Sequence, residues 1–215
     1  MCSSYDVPSG PPSTTCSGRH HHHSSPRRLL LEVTERVLAD GTVETPFVED
    51  DVRAALETFA QEGVECVAAV FMNSHVNPAH ELAAAEAPRR FGFDGDISLS
   101  HQVTGEFREY ERTSTTVVDA YVRPKVAWYL EDLDQALRDQ GFAGEALITR
   151  SGGGALTFSE AEKRPVETVI SGPSAGGMGC AGLCRELGLE QGIGADVGGT
   201  SFDTCLIVDG YLRVR

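Results

Sequence analysis

The residues best suited to chemistry lie near the carboxyl end, in Ala195-Asp196-Val197-Gly198-Gly199-Thr200-Ser201-Phe202-Asp203. Apolar residues flank the string on both sides, so it predicts strand, tight turn, strand. Adjacent glycines permit positive φ and let backbone N–H groups approach an anion with no Cβ in the way. Thr200 and Ser201 add hydroxyl donors, which makes Gly198, Gly199, Thr200 and Ser201 candidate phosphate ligands. Asp196 and Asp203 bracket the turn, and a hairpin would bring both carboxylates to its mouth. Like charges crowded there are costly unless a cation compensates. Mg2+, held largely through water and substrate phosphates, suits that role. Asp196 and Asp203 are therefore the candidate catalytic and metal-orienting pair. The competing reading is an ordinary Gly-Gly hairpin with solvated acids; the full string between two apolar strands favours phosphate.

A second glycine-rich stretch, Ser171-Gly172-Pro173-Ser174-Ala175-Gly176-Gly177, is expected to precede a helix. A helix N-terminus offers unsatisfied N–H groups to an anion, and Gly172 and Gly176 are candidates on that ground. Close packing of the helix on a strand would demand the same small side chains, and both readings stand. Ser151-Gly152-Gly153-Gly154 reads as a turn. His75 and His101 fall at expected strand ends, where sites occur in α/β folds, and their intrinsic pKa suits acid–base work. Plain hydrogen bonding is the commoner fate of such residues. His80 is expected on an exposed helix face. Glu109 and Arg112, near a helix start, are surface charges or, for Arg112, a cleft cation suited to carboxylate or phosphate.

Elements to position these groups follow from periodicity. Leu29–Val37 is strand-like, with a turn at Ala39-Asp40-Gly41-Thr42 before Val43. Glu49–Glu62 is an amphipathic helix with Val52, Leu56 and Phe59 on one face, closed by Gly63. Val64–Phe71 reads as a strand covered on both faces, Pro78–Arg90 as a helix, and Ile97–Leu99 as a short strand. Glu106–Gln140 is helical, with Val118, Val122, Val126, Leu130, Leu133 and Leu137 as its core face and a kink or restart at Pro124. Leu147–Thr149 and Val166–Ile170 are short strands, a small-residue helix runs to about Leu187, and Ile193–Val197 and Phe202–Val208 close the chain. Alternation of this kind means an α/β fold. The expected units are a disordered tail over 1–26, a first domain over 27–105 and a second over 106–215.

Composition narrows the partners. Thirty-two acidic against 18 basic residues give a net charge of −14 in 215 residues, which opposes nucleic-acid binding but leaves nucleotides open. Nothing approaches a membrane span and the first residues lack the apolar run of a signal peptide, so a cytoplasmic protein is expected. The six cysteines show no paired zinc spacing and read as buried thiols. The tract His20–His23 is a flexible segment rather than a built metal site.

The Asp196–Asp203 string resembles a phosphate hairpin of the actin, sugar-kinase and heat-shock ATPase superfamily, in the form found in the hydantoinase A / 5-oxoprolinase / acetone carboxylase family. Arg28–Val37 with its Asp40-Gly41 turn, Asn73-Ser74-His75-Val76-Asn77-Pro78-Ala79-His80-Glu81, Glu109–Tyr121 and Ser171-Gly172-Pro173 resemble the same family in the same order. The resemblance implies a ribonuclease H-like fold, ATP and Mg2+ as cofactors, and a small cyclic amide whose carbonyl is activated by phosphorylation. It also implies that 27–105 is part of an N-terminal domain and that 106–215 begins the domain bearing the hairpin. The family has a further D-x-G-G-T string and later segments, so this chain is expected to be an incomplete piece that works with missing segments or a second subunit. A catalytically inactive or partner-binding fragment is the alternative, with an acetone carboxylase-type subunit and a sugar kinase ranked below.

Overall fold

The computed structural model describes residues 25–213, so most of the expected tail, with His20–His23, lies outside the described residues. The expected α/β alternation is present. A three-residue turn of 3-10 helix at Arg27–Leu29 leads into a hairpin of β1 (Arg36–Val37) and β2 (Val43–Thr45). The strand expected over Leu29–Val37 is therefore confined to its last two residues. The Asp40-Gly41 turn is as expected: Gly41 sits at φ +86°, and Thr42 N–H donates to Asp40 Oδ1 at 2.9 Å.

Helix α1 (Glu49–Gln61) buries Val52, Ala55, Leu56 and Phe59 against Ala87 and Phe93. Each large apolar side chain buried there contributes about 1.5–3 kcal/mol. Three acidic residues in its first turn complement the helix dipole, and Gly63, at φ +67°, ends it. Strands β3 (Cys66–Ala69) and β4 (Asp96–Leu99) pair in parallel across α2 (Ala79–Phe91), a βαβ unit. The short helix α3 (Ser100–Val103) follows directly.

Helix α4 (Glu109–Asp139) lies against β3, β4 and the turn at Pro165–Thr168. It runs unbroken through Pro124, where a kink or restart was expected. The preceding residue anchors it: Arg123 donates to Asp119, to Ser98 and to the carbonyls of Glu162 and Lys163. Its expected apolar face also needs correcting. Leu130 is fully buried, but Val118 is exposed, and the buried residues of the first half are Arg112, Thr116, Asp119 and Ala120. The half facing the βαβ unit is thus largely polar.

Strands β5 (Leu147–Thr149) and β6 (Ala155–Thr157) form a hairpin, and α5 (Phe158–Lys163) starts from a capping box at Thr157 and Glu160. Leu156 and Ala161 pack on Leu130 of α4. Val166–Ile170 is not a strand, because Pro165 opens a 3-10 turn there and Asp119 Oδ1 accepts the Val166 N–H at 3.1 Å. Helix α6 (Ser171–Glu186) then covers one face of an antiparallel sheet of β7 (Gln191–Val197), β8 (Phe202–Val208) and β9 (Tyr211–Arg213). Among the described residues, no helix is long and apolar enough to cross a membrane.

Candidate functional site

Strands β7 and β8 pair in a register that makes Asp196 and Asp203 direct partners, with Val197 opposite Phe202 nearest the bend. Directly opposed residues project from the same face of a sheet, so the two carboxylates stand side by side. The bend, residues 198–201, is exposed and closed by one hydrogen bond, Gly198 N–H to the Ser201 carbonyl at 3.0 Å. Among the described residues nothing lies within 4 Å of where a Cβ on Gly199 would sit, so the mouth is open. Neither Gly198 nor Gly199 takes positive φ, which corrects one expected reason for the pair. What they leave is an open backbone without side chains. Ser201 Oγ donates to Asp203 Oδ2 at 3.2 Å, and the Thr200 hydroxyl has no partner among the described residues.

Ser171–Gly177 does not precede α6; it forms the helix's first two turns. Among the described residues no side chain caps the start of α6, and the surroundings of Gly172 are open. Gly176 faces the hairpin: a Cβ there would come within 3.9 Å of Asp196 Oδ2. The packing role expected for these glycines is also met. A Cβ on Gly177 would press on Leu212 at 3.2 Å, and one on Gly194 of β7 would sit 3.3 Å from Cys180 Sγ of α6. Small residues on both partners bring the helix close to the strands. Ser151 ties the glycine turn to the same place, its carbonyl accepting from Ser174 Oγ at 2.6 Å and its hydroxyl from the Ile170 N–H. Gly153 and Gly154 both take positive φ, as a tight turn there requires. The Ser151 turn, the α6 N-terminus and the aspartate pair thus converge.

Neither Asp196 nor Asp203 has an ion-pair partner among the described residues, and no trio of His, Cys, Asp and Glu forms a metal cage there. Two hard oxygen donors on an open rim fit Mg2+, which keeps much of its water and shares substrate phosphates. The uncapped α6 N-terminus adds positive dipole at the same corner.

A second polar cluster lies at the carboxyl ends of β3 and β4. Glu81, fully buried in α2, accepts from Phe71 N–H at 3.0 Å, Ser100 Oγ at 2.6 Å, His101 N–H at 3.0 Å and His101 Nδ1 at 2.7 Å. Burial alone would raise its pKa, but these four donors together hold it below its ordinary value. Arg112 is also fully buried, not a surface charge. It donates to the carbonyls of Phe71 and Glu106 and to His75 Nδ1 at 3.0 Å. His80 is likewise buried, not exposed, and pairs with Glu35 at 2.7 Å against the Phe47 ring. Glu109 opens α4 at a partly exposed position.

Glu81, Ser98, Ser100, Asp119 and Arg123 escaped sequence reasoning. Asp119 Oδ2 takes bonds from Ser98 and Arg123, both at 2.6 Å. A signal was present: Arg112, Thr116, Asp119 and Arg123 recur at helical spacing, and Ser98 and Ser100 alternate in a strand.

Comparison with known proteins places these elements in context. The family model for hydantoinase/oxoprolinase matches residues 112–215, and that for the hydantoinase/oxoprolinase N-terminal region matches residues 15–92. The acetophenone carboxylase gamma subunit of Aromatoleum aromaticum is 37% identical over 192 residues, covering 86% of this chain and 26% of the relative. The caprolactamase subunit alpha of Pseudomonas jessenii is 35% identical over 173 residues, covering 80% of this chain and 25% of the relative. The crystal structure of the ATP-dependent caprolactamase from Pseudomonas jessenii superposes with a TM-score of 0.75 at 31% identity, over 88% of this chain and 28% of that chain. The chain spans about a quarter of the length of the curated relatives it matches.

Proposed function

The chain belongs to the hydantoinase/oxoprolinase family, and we propose that it is a piece of an enzyme that uses ATP to activate the carbonyl of a cyclic amide. The observation that carries this reading is the Asp196–Asp203 pair at the mouth of an open Gly-Gly bend, backed by the uncapped start of α6. On this reading Gly198, Gly199, Thr200 and Ser201, with Gly172 and Gly176, hold the phosphates, and Asp196 and Asp203 orient Mg2+ or its waters. ATP, when bound, supplies the phosphoryl group that turns a poor electrophile into a good one. The chain's own contribution is positioning and charge neutralisation, the main terms in phosphoryl transfer.

The same reading takes the α/β framework as part of an actin-like, ribonuclease H-like ATPase fold. Residues 27–105 are then part of the N-terminal domain and 106–215 the start of the hairpin-bearing domain, in a cytoplasmic enzyme. Titrating the full chain with Mg-ATP tests it: saturable binding is expected, with loss in Asp196→Ala. A folded chain without binding would refute the phosphate assignment.

A second reading, a fragment that binds partner protein without catalysis, has its own observation. On the sheet face away from α6, Ile193, Val197, Phe202 and Leu206 are exposed together, an apolar surface of the kind that further protein covers. Relatives named as subunits, such as the caprolactamase subunit alpha, support a second chain as that cover. The carboxylase branch differs in the carbonyl substrate, and the identity to an acetophenone carboxylase subunit supports it. Product analysis with a lactam or a ketone separates the branches.

A further inference from the structure

The cluster at the ends of β3 and β4 fixes the proton positions of two imidazoles in opposite senses. A guanidinium only donates, so its contact at 3.0 Å makes His75 Nδ1 an acceptor and puts the ring proton on Nε2. An ionised carboxylate only accepts, so the 2.7 Å contact with Glu81 makes His101 Nδ1 the donor. The lone pair of neutral His101 is therefore on Nε2. Neither Nε2 has a hydrogen-bond partner among the described residues, and both residues keep partial exposure. The preceding residues touch, Ser74 Oγ to Ser100 Oγ at 3.0 Å, so both histidines leave the same spot on the rim of the βαβ unit.

Their supports are costly for a scaffold. Glu81 and Arg112 are fully buried charged groups that do not contact each other through their side chains; the peptide groups of Phe71 stand between them, N–H to Glu81 and C=O to Arg112. Among the described residues the Arg112 guanidinium has no carboxylate partner, and its buried Nε has no hydrogen-bond partner. Two of its bonds tie the Phe71 and Glu106 main chain together, and the third, to His75 Nδ1, sets the tautomer of that ring.

We propose that His75 and His101 form a small-ligand site, separate in its residues from the phosphate hairpin, for a group offering a hydrogen-bond acceptor beside an N–H or O–H. One edge of a cis amide has that pattern, and naming a lactam as the ligand rests on the function proposed above. His75 Nε2–H donates to the carbonyl oxygen, and His101 Nε2 accepts the amide proton. In full transfer the N–H bond breaks, its electron pair delocalises onto the oxygen held by His75, and the proton forms a new bond at His101 Nε2. The His101 Nδ1–H stays with Glu81. Glu81 and Arg112 are positioning residues that set which nitrogen does which task.

The test uses the full chain, isotopically labelled on its histidine nitrogens, with pyrrolidinone as the cis-amide probe and N-methylacetamide as the trans control. The free chain should show His75 protonated at Nε2 and His101 at Nδ1. Pyrrolidinone should shift both Nε2 resonances along one saturable curve, and N-methylacetamide should not. His75→Gln and His101→Gln should each weaken the response about tenfold. Glu81→Gln should move the His101 proton to Nε2 and weaken binding, an effect that a merely structural role would not produce in a folded variant. A His101 proton found on Nε2 in the free chain, or no saturable shift in the folded chain, overturns the proposal. The unsubstituted chain decides both points even should a variant not fold. A parallel calorimetric titration with Mg-ATP reports on the hairpin separately, so nucleotide binding without a lactam response sinks this proposal and leaves the phosphate reading intact.

Discussion

Replacing Glu81 with glutamine changes little volume but reverses half of what the side chain offers. Four donors converge on the carboxylate: Phe71 N–H and Ser100 Oγ on Oε1, His101 N–H and Nδ1 on Oε2. Glutamine keeps one acceptor oxygen, enough for two of them, and turns an NH2 toward the other two. If the NH2 faces His101, the ring can relieve its conflict by moving its proton to Nε2, but the backbone N–H has no such escape. A buried donor left unpaired costs about 1–3 kcal/mol. Adding the lost charge assistance gives an expected loss of about 2–4 kcal/mol at neutral pH.

Acid dependence sharpens the test. The folded pKa of Glu81 lies below its ordinary 4.5, so its stabilisation is fully present above about that pH. It is lost as pH falls through the folded value, where the carboxyl must take up a proton among donors. Glutamine does not titrate, so the gap between the two proteins should close in acid. Urea unfolding followed by far-ultraviolet circular dichroism over a pH series measures it. A gap under about 1 kcal/mol at neutral pH, or one that stays constant into acid, would refute the account of Glu81 as an ionised hub.

Two other outcomes follow from packing. Gly194→Ala puts a Cβ where Cys205 Sγ of the paired strand lies 2.6 Å away and Cys180 Sγ of α6 3.3 Å away, so the Cys205 thiol must turn and the α6 contact must give by a few tenths of an ångström. A loss of about 1–3 kcal/mol in urea unfolding is expected, and an unchanged midpoint would contradict close packing around Gly194. Cys66, whose thiol burial pushes up to about 11 against the opposing pull of Arg123, should resist iodoacetamide in the folded chain near neutral pH and react once unfolded. Mass spectrometry of the alkylated peptides reads this, and labelling of Cys66 at the same rate folded and unfolded would contradict its burial.

The elements that could be read from sequence are those whose interior is apolar. Helix α1 carries its core on Val52, Leu56 and Phe59 and starts where expected, at Glu49; β7 and β8 were bounded by apolar runs. The hairpin register that pairs Asp196 with Asp203 was legible too, because a short bend between two strands leaves few alternatives. What stayed hidden has a polar interior. Arg112, Thr116 and Asp119 form a helix face that looks solvated, yet it is buried against the βαβ unit. Val166–Ile170 has strand-like composition, but its backbone is claimed by Asp119 and its Glu167 by Arg150 and Arg164. Both errors have one cause: pattern reading assigns charge to solvent, and here charge holds parts of the chain to one another.

That distinction bears on how the two candidate sites are placed. Arg112 holds His75, and two turns along the same helix Asp119 accepts the Val166 N–H. The next residue, Glu167, accepts the Ser151 N–H through its carbonyl, and the Ser151 carbonyl accepts from Ser174 in α6. Two residues further, Gly176 gives Asp196 its room. Every link is a hydrogen bond or a close backbone approach, so the histidine cluster and the aspartate hairpin are held in fixed relation without a continuous apolar core between them. Apolar contacts would tolerate sliding of α4 by small repacking; a buried Asp119 with three donors on its two oxygens would not, since any slip leaves a buried charge unpaired. The polar face of α4 is therefore best understood as a register device, setting the distance between the aspartate hairpin and the histidine cluster.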